Sequence, residues 1–167
     1  MSLADDLAAK LRDRDHDVIV ARGDVSIVVA PGDLVAALTQ LRDGDGLGFD
    51  LFCDLAATDW PGAEPRFWLA YHLASIAGGH RVRVKVGLAG DEPHVASATG
   101  VYPAANWFER EVYDFFGVVF DGHPDLTRIE MPDEWTTYPL RKTEPLAGVR
   151  TQYKGGAFVP PPDERGL

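Results

Sequence analysis

One cysteine, Cys53, is all the sequence has. A lone thiol excludes an internal disulfide and cannot by itself supply a zinc or iron–sulfur site; it fits a reducing compartment, with Cys53 as a small core residue. Long apolar runs are missing too. No stretch approaches the ~20 residues that span a bilayer, so any membrane association has to come through a partner. The N-terminal Met1-Ser2-Leu3-Ala4-Asp5-Asp6 is acidic and lacks the apolar segment of a secretory signal. Positive charge is scarce, with 16 Lys and Arg against 26 Asp and Glu and a formal net charge of −10. Nucleic acid is thereby excluded as the main ligand, because phosphate binding needs clustered cations. One basic island interrupts this pattern: between Pro139 and Lys154 stand Arg141, Lys142, Arg150 and Lys154, opposed by Glu144 alone.

What is present reads as a single α+β domain with an extended tail. A chain of this length buries roughly 70% of its unfolded surface and needs no staples. Ser2 and Asp5 have the spacing of a capping box, and Leu3, Leu7 and Leu11 follow at helical intervals. Val18 to Val20 and Val25 to Val29 flank Arg22-Gly23-Asp24 as a hairpin. A second helix starts at Pro31-Gly32-Asp33, with Leu34, Val35, Leu38 and Leu41 as its inner stripe, and stops in the glycine-rich loop at 43–48. Three alternating runs follow, with inner positions Phe49, Leu51, Cys53, Leu55 and Ala57, then Phe67, Leu69, Tyr71 and Leu73, then Val82, Val84, Val86 and Leu88. Pro103 opens a further helix whose apolar face is Ala105, Phe108, Val112, Phe115 and Phe116. Trp107, Arg110 and Asp114 point away from that face, and Gly117 ends the helix.

The expected architecture is a two-layer domain ordered helix, two strands, helix, three strands, helix, over residues 1–130, with a largely antiparallel sheet. Residues 131–167 form a tail of spaced prolines and aromatics. Ordering it costs on the order of 1 kcal/mol per residue. Trp135, Tyr138, Tyr153 and Phe158 together could bury only roughly 600–1,000 Å², so a partner must complete the interface.

The chemical motifs fail one by one. Gly44-Asp45-Gly46-Leu47-Gly48 precedes a strand where a dinucleotide fingerprint would open a helix. The same loop puts Leu47 at a calcium-ligand position. His16, His72, His80, His94 and His123 show no metal-ligand spacing. Glu109, Glu111 and Asp114 remain as candidate acids and bases. A solvated helix face, with Arg110 and Asp114 as an i,i+4 pair, accounts for them without a pocket or shifted pKa, so the structural account precedes the catalytic one.

Three linked segments carry a resemblance: Glu109-Arg110-Glu111-x-x-Asp114-Phe115-Phe116-Gly117, Gly122-His123-Pro124-Asp125-Leu126-x-Arg128-Ile129, and Trp135-x-x-Tyr138-Pro139-Leu140-Arg141-Lys142-x-x-Pro145. In this order they strongly resemble the family of C subunits of the proton-pumping NADH–quinone oxidoreductase, respiratory complex I. The resemblance is tight over 103–145 and loose over the rest. It implies a non-catalytic peripheral-arm component that binds no cofactor, with FMN, iron–sulfur clusters, NADH and quinone on other subunits. The implied partners are the large quinone-site subunit, designated D, and the neighbouring iron–sulfur subunits B and I. The implied location is the cytoplasmic face of a bacterial plasma membrane. Glu109, Arg110, Glu111, Asp114, His123, Asp125, Arg128, Trp135, Tyr138, Arg141 and Lys142 are the expected partner-binding residues. Neutralising Glu109 or Asp114 is expected to impair docking more than chemistry. Thr127 and Thr143 stand where the pattern leads one to expect a basic and an acidic residue, and Thr137 where Gly is common.

Relatives occur in ferredoxin-fed or deazaflavin-fed dehydrogenases and membrane-bound hydrogenases, so the electron donor stays open. A stand-alone acid–base enzyme using Glu109 or Asp114, and an independent peptide-binding module, are the alternatives.

Overall fold

A computed structural model describes residues 3–13, 17–132 and 134–144. Helix α1 (Leu3–Arg12) leads into a hairpin of β1 (Asp17–Ala21) and β2 (Asp24–Val29). The two-residue turn has Arg22 at φ 55° and Gly23 at φ 88°, the paired positive angles that match strand twist in tight hairpins. The Ser2 cap lies outside the described residues, whereas Leu7 and Leu11 are buried as expected.

After a short 3-10 turn, α2 (Leu34–Asp43) buries Leu34, Ala37, Leu38 and Leu41. Val35 is exposed instead, because the 3.6-residue period carries the inner stripe through 34, 37/38 and 41 and leaves position 35 to one side. Strands β3 (Leu51–Asp59), β4 (Phe67–Ser75) and β5 (His80–Leu88) complete a five-stranded sheet in the order β1-β2-β5-β4-β3. All its pairings are antiparallel except β2 with β5. β4 and β5 alternate as their sequences require, with Leu69, Tyr71, Val84 and Val86 fully buried in the same core as the inner residues of α1 and α2.

β3 departs from its expected alternation. Its pairing with β4 shifts between Phe52 and Asp54, so Cys53 is the extra residue of a bulge. Phe52 and Leu55 therefore both face inward, while Leu51 and Cys53 are exposed. Cys53 is not a core residue. The larger side chain takes the interior, where the Phe52 ring meets those of Tyr71, Tyr102 and Phe108 at centroid distances of 6.2, 5.6 and 5.4 Å.

Helix α3 (Ala105–Phe116) packs on β3. Pro103 sits in the turn just before it, and Gly117 terminates it at φ 69° with its N–H on the Tyr113 carbonyl. Two three-residue strands that the sequence pattern does not betray, β6 (His94–Ala96) and β7 (Val119–Asp121), pair in parallel around α3.

Candidate functional site

Two carboxylates of α3 are 0% exposed, contrary to the solvated face read from the sequence. Glu109 Oε1 accepts the Ala98 N–H and Oε2 accepts the Ser97 hydroxyl, both at 2.6 Å. The His123 ring stands above: its Nδ1 accepts the Asp125 N–H at 3.0 Å. That fixes the proton on Nε2, which donates to the Asn106 carbonyl at 3.2 Å and lies 3.9 Å from Glu109 Oε2. Burial pushes the Glu109 carboxyl up to about 7, against the two hydrogen bonds that favour its charge. The fully buried Tyr71 hydroxyl is raised well above its ordinary range by desolvation and then by Glu109, and it makes no hydrogen bond among the described residues.

Asp114 lies more than one helical turn further on, and its partner is not Arg110. Arg128 Nη1 donates to Oδ1 at 2.7 Å, while Oδ2 accepts the N–H groups of Ile129, Glu130 and Met131 at 3.1, 2.8 and 2.9 Å. Burial opposes the charge, but the Met131 and Glu130 amides, the Arg128 guanidinium and the Ile129 amide outweigh it and hold the carboxyl below its usual value. The expected Arg110–Asp114 pair fails because Asp114 turns inward to this cradle. Arg110 instead lies over the Trp107 ring at 4.9 Å and donates to the carbonyl and hydroxyl of Thr127. A cation at position 127 would face Arg110, so this chain has a neutral acceptor where a basic residue was expected.

A third buried carboxylate escaped the sequence reading. Asp59, at the end of β3, takes a bidentate pair from Arg66 at 2.7 and 3.0 Å and the Lys142 N–H at 2.8 Å. The Arg66 bonds, opposed by burial, hold it below its usual value. Nothing marked it in the sequence beyond an acid closing an apolar strand before Trp60-Pro61-Gly62. Ser97 escaped likewise, inside a run of small residues without periodicity.

These anchors draw residues 134–144 back onto α3. Arg128 Nη2 donates to the Thr137 carbonyl, and the Leu140 N–H to the Phe115 carbonyl. Arg141 donates to the carbonyls of Phe116, Gly117 and Asp91 at 2.6, 3.4 and 2.9 Å. The Tyr138 ring has the Arg128 and Arg141 guanidiniums over it, at 5.2 and 4.7 Å, and lies edge-on to Tyr113. It also covers Gly117, where a Cβ would come within 2.4 Å of the ring. Trp135 is half-buried, and its indole N–H has no partner among the described residues.

The structure thus brings Glu109 and His123 together, and Asp114, Arg128, Tyr138 and Arg141 around the C-terminal end of α3. Glu111, Asp125 and Lys142 lie nearer the surface. Arg150 and Lys154 of the basic island lie outside the described residues. Chemically, each buried carboxylate closes a loop of the chain on itself, and neither Glu109 nor Asp114 is reachable from solvent.

The sequence model of the family "Respiratory-chain NADH dehydrogenase, 30 Kd subunit" matches residues 27–150. The C subunit of an NADH-quinone oxidoreductase from Mycobacterium sp. (strain KMS) is 43% identical over 169 residues, 98% of this chain and 73% of that protein. Its counterpart from Salinispora arenicola (strain CNS-205) is 44% identical over 149 residues, 89% of this chain and 60% of the relative. Among solved structures, a trypsin-resistant fragment (1–134) of Nqo5 aligns with a TM-score of 0.64 at 27% identity, covering 75% of this chain and all of that one. A chain of the membrane-bound sulfane sulfur reductase, an archaeal respiratory membrane complex, shares the fold with a TM-score of 0.70 at 24% identity, over 87% of each chain.

Proposed function

Because the chain belongs to the 30 Kd subunit family of respiratory-chain NADH dehydrogenase, we propose that it is a non-catalytic structural and assembly subunit. Its assembly is the peripheral arm of a proton-pumping NADH–quinone oxidoreductase. FMN, iron–sulfur clusters, NADH and quinone are carried by other subunits. The chain packs chiefly on the large quinone-site subunit, beside the iron–sulfur subunits B and I. It works at the cytoplasmic face of the plasma membrane and meets the bilayer only through the complex. No helix among the described residues is long and apolar enough to cross a membrane.

The observation that carries this proposal is the use of the motif carboxylates. Glu109 and Asp114 are 0% exposed and bonded to the chain's own backbone, so they shape a surface and do not face a substrate. Partner contact then falls to the groups they position: Glu111, Asp125, Trp135, Tyr138 and Lys142, with Arg110, His123, Arg128 and Arg141 holding the frame. The solved Nqo5 chain is a trypsin-resistant fragment (1–134), which supports dividing this chain into a core of 1–130 and a tail of 131–167. Within that tail, residues 134–144 are tethered to α3 and Asp59, and the cations Arg150 and Lys154 follow.

Mild solubilisation of native membranes tests the proposal: the chain should co-migrate with iron–sulfur proteins on a native gel. Migration of the intact chain alone, away from them, would refute it. In the free chain trypsin should cut after Arg150 and Lys154, and assembly should slow both cuts.

A further inference from the structure

Glu109 is fully buried, so a proton that comes and goes at its carboxyl needs a path. Two hydroxyls lie in line with it. Glu109 Oε2 stands 2.6 Å from Ser97 Oγ, which in turn stands 2.7 Å from Thr99 Oγ1. Ser97 and Thr99 are both half-buried, in the turn between β6 and α3. A hydroxyl donates one hydrogen bond and accepts others, so this row can run in either direction. With Glu109 ionised, Thr99 donates to Ser97 and Ser97 donates to Glu109. Oε1 is held by the Ala98 N–H, which leaves Oε2 as the seat for an arriving proton. Thr99 then takes a proton from solvent and passes its own to Ser97, and Ser97 passes its own to Oε2. Each hydroxyl ends with the single proton it began with, Glu109 has gained one, and every bond in the row has reversed.

The other side of the carboxyl faces His123, whose side chain is also fully buried. Its Nε2–H has two acceptors in reach: the Asn106 carbonyl at 3.2 Å and Glu109 Oε2 at 3.9 Å. A neutral Glu109 leaves that N–H on Asn106. An ionised one offers a charge-assisted bond, roughly twice as strong as a neutral one. Making it brings the two atoms about 1 Å closer. The ring cannot move alone, because its Nδ1 accepts the Asp125 N–H at 3.0 Å. Any shift of His123 therefore reaches the exposed Gly122, Pro124 and Asp125. Among the described residues the titratable groups facing Glu109 are His123 and, from β4, Tyr71, whose hydroxyl has no hydrogen-bond partner there.

We propose that Glu109 is a buried proton-binding site, filled and emptied through the Ser97 and Thr99 hydroxyls, whose occupancy chooses the acceptor of the His123 N–H and so sets the 122–125 loop. Burial, opposed by the Ser97 and Ala98 hydrogen bonds, raises the carboxyl to about 7, which puts the exchange near neutrality. The site lies wholly within this chain and does not depend on the subunit proposal.

NMR of the full-length chain tests it, with 15N in the histidine rings and backbone and 13C in the glutamate carboxyls, from about pH 5.5 to 8.5. The Glu109 carboxyl carbon, the His123 Nε2–H and the Asp125 amide should shift with one shared midpoint. Glu109→Gln should hold the His123 and Asp125 signals constant over that range. Thr99→Val keeps the shape and removes the outer hydroxyl; it should leave the midpoint in place and slow proton exchange at Glu109 by about tenfold or more, read as broadening of the same signals. A Glu109 carboxyl that does not titrate in this range would overturn the site. His123 and Asp125 signals that stay still while Glu109 titrates, or that still move in Glu109→Gln, would overturn the coupling. Unchanged exchange in Thr99→Val would overturn the hydroxyl path. The titration of the parent chain decides the site even if Glu109→Gln does not fold.

Discussion

Replacing Asp114 by Ala removes one fully buried charge and the acceptor of four donors at once. Losing one member of a buried ion pair costs about 3–5 kcal/mol, because the remaining partner stays desolvated. Two features pull the cost toward the lower end. Glu130 is exposed and Ile129 and Met131 are half-buried, so water reaches some of the orphaned amides, and Arg128 keeps the Thr137 carbonyl. We expect a loss of about 3 kcal/mol, a large share of the roughly 5–15 kcal/mol typical of a folded domain. In urea the midpoint should fall by at least about 1 M. Asp114→Asn, which keeps one oxygen acceptor but no charge, should lose about 2 kcal/mol. The damage should be local as well as global: with 129–131 untied, trypsin should cut after Arg128 faster than in the parent chain. Acid titration gives a second readout. The folded pKa of Asp114 is depressed, so its contribution is present above the unfolded carboxylate value near ~3.9 and lost as pH falls through the folded value. The Asn variant should lack that part of the acid limb. A loss below about 1 kcal/mol, with unchanged cleavage at Arg128, would show that the cradle does not hold this segment.

Glu109 should behave in the opposite sense. Its folded pKa is raised from 4.5 to about 7, so the stability linked to its proton is complete below the unfolded value and is lost as pH rises through the folded one; the parent chain should weaken by about 2 kcal/mol between roughly pH 5.5 and 8 in urea unfolding. Glu109→Gln, neutral and able to accept the Ala98 N–H, should remove that slope, and an unchanged slope would refute the assignment. Gly117→Ala should lower stability by more than about 2 kcal/mol, since a left-handed residue costs roughly 1–2 kcal/mol before the Tyr138 ring is displaced. Gly62→Ala, at φ 83° with nothing within 4 Å, should show only the backbone part in the same thermal melts. Arg141→Ala removes three carbonyl contacts and the Tyr138 stack, so trypsin should cut after Lys142 about tenfold faster, a change of about 1.4 kcal/mol in local opening.

Wherever one periodicity ruled a segment, the order of amino acids was enough to dictate the sheet and its helices. Val82, Val84, Val86 and Leu88 could only be one face of a strand, Arg22-Gly23 could only be a hairpin turn, and Gly117 could only end a helix. The resemblance over 103–145 was legible for the same reason: three segments in order, each short and chemically unusual. Local pattern failed where distant residues competed for the interior. Phe52 outweighs Leu51 and Cys53 only because Tyr71, Tyr102 and Phe108 converge on it, and the bulge that turns it inward leaves no trace in the alternation. The acids of α3 misled for a related reason. A carboxylate on a helix reads as solvated until the chain brings donors to it, and the donors of Glu109 and Asp114 come from residues 97–98 and 128–131, beyond either end of that helix. Burial of a charge depends on how many hydrogen bonds await it, and those donors meet their acceptor only once the chain has folded.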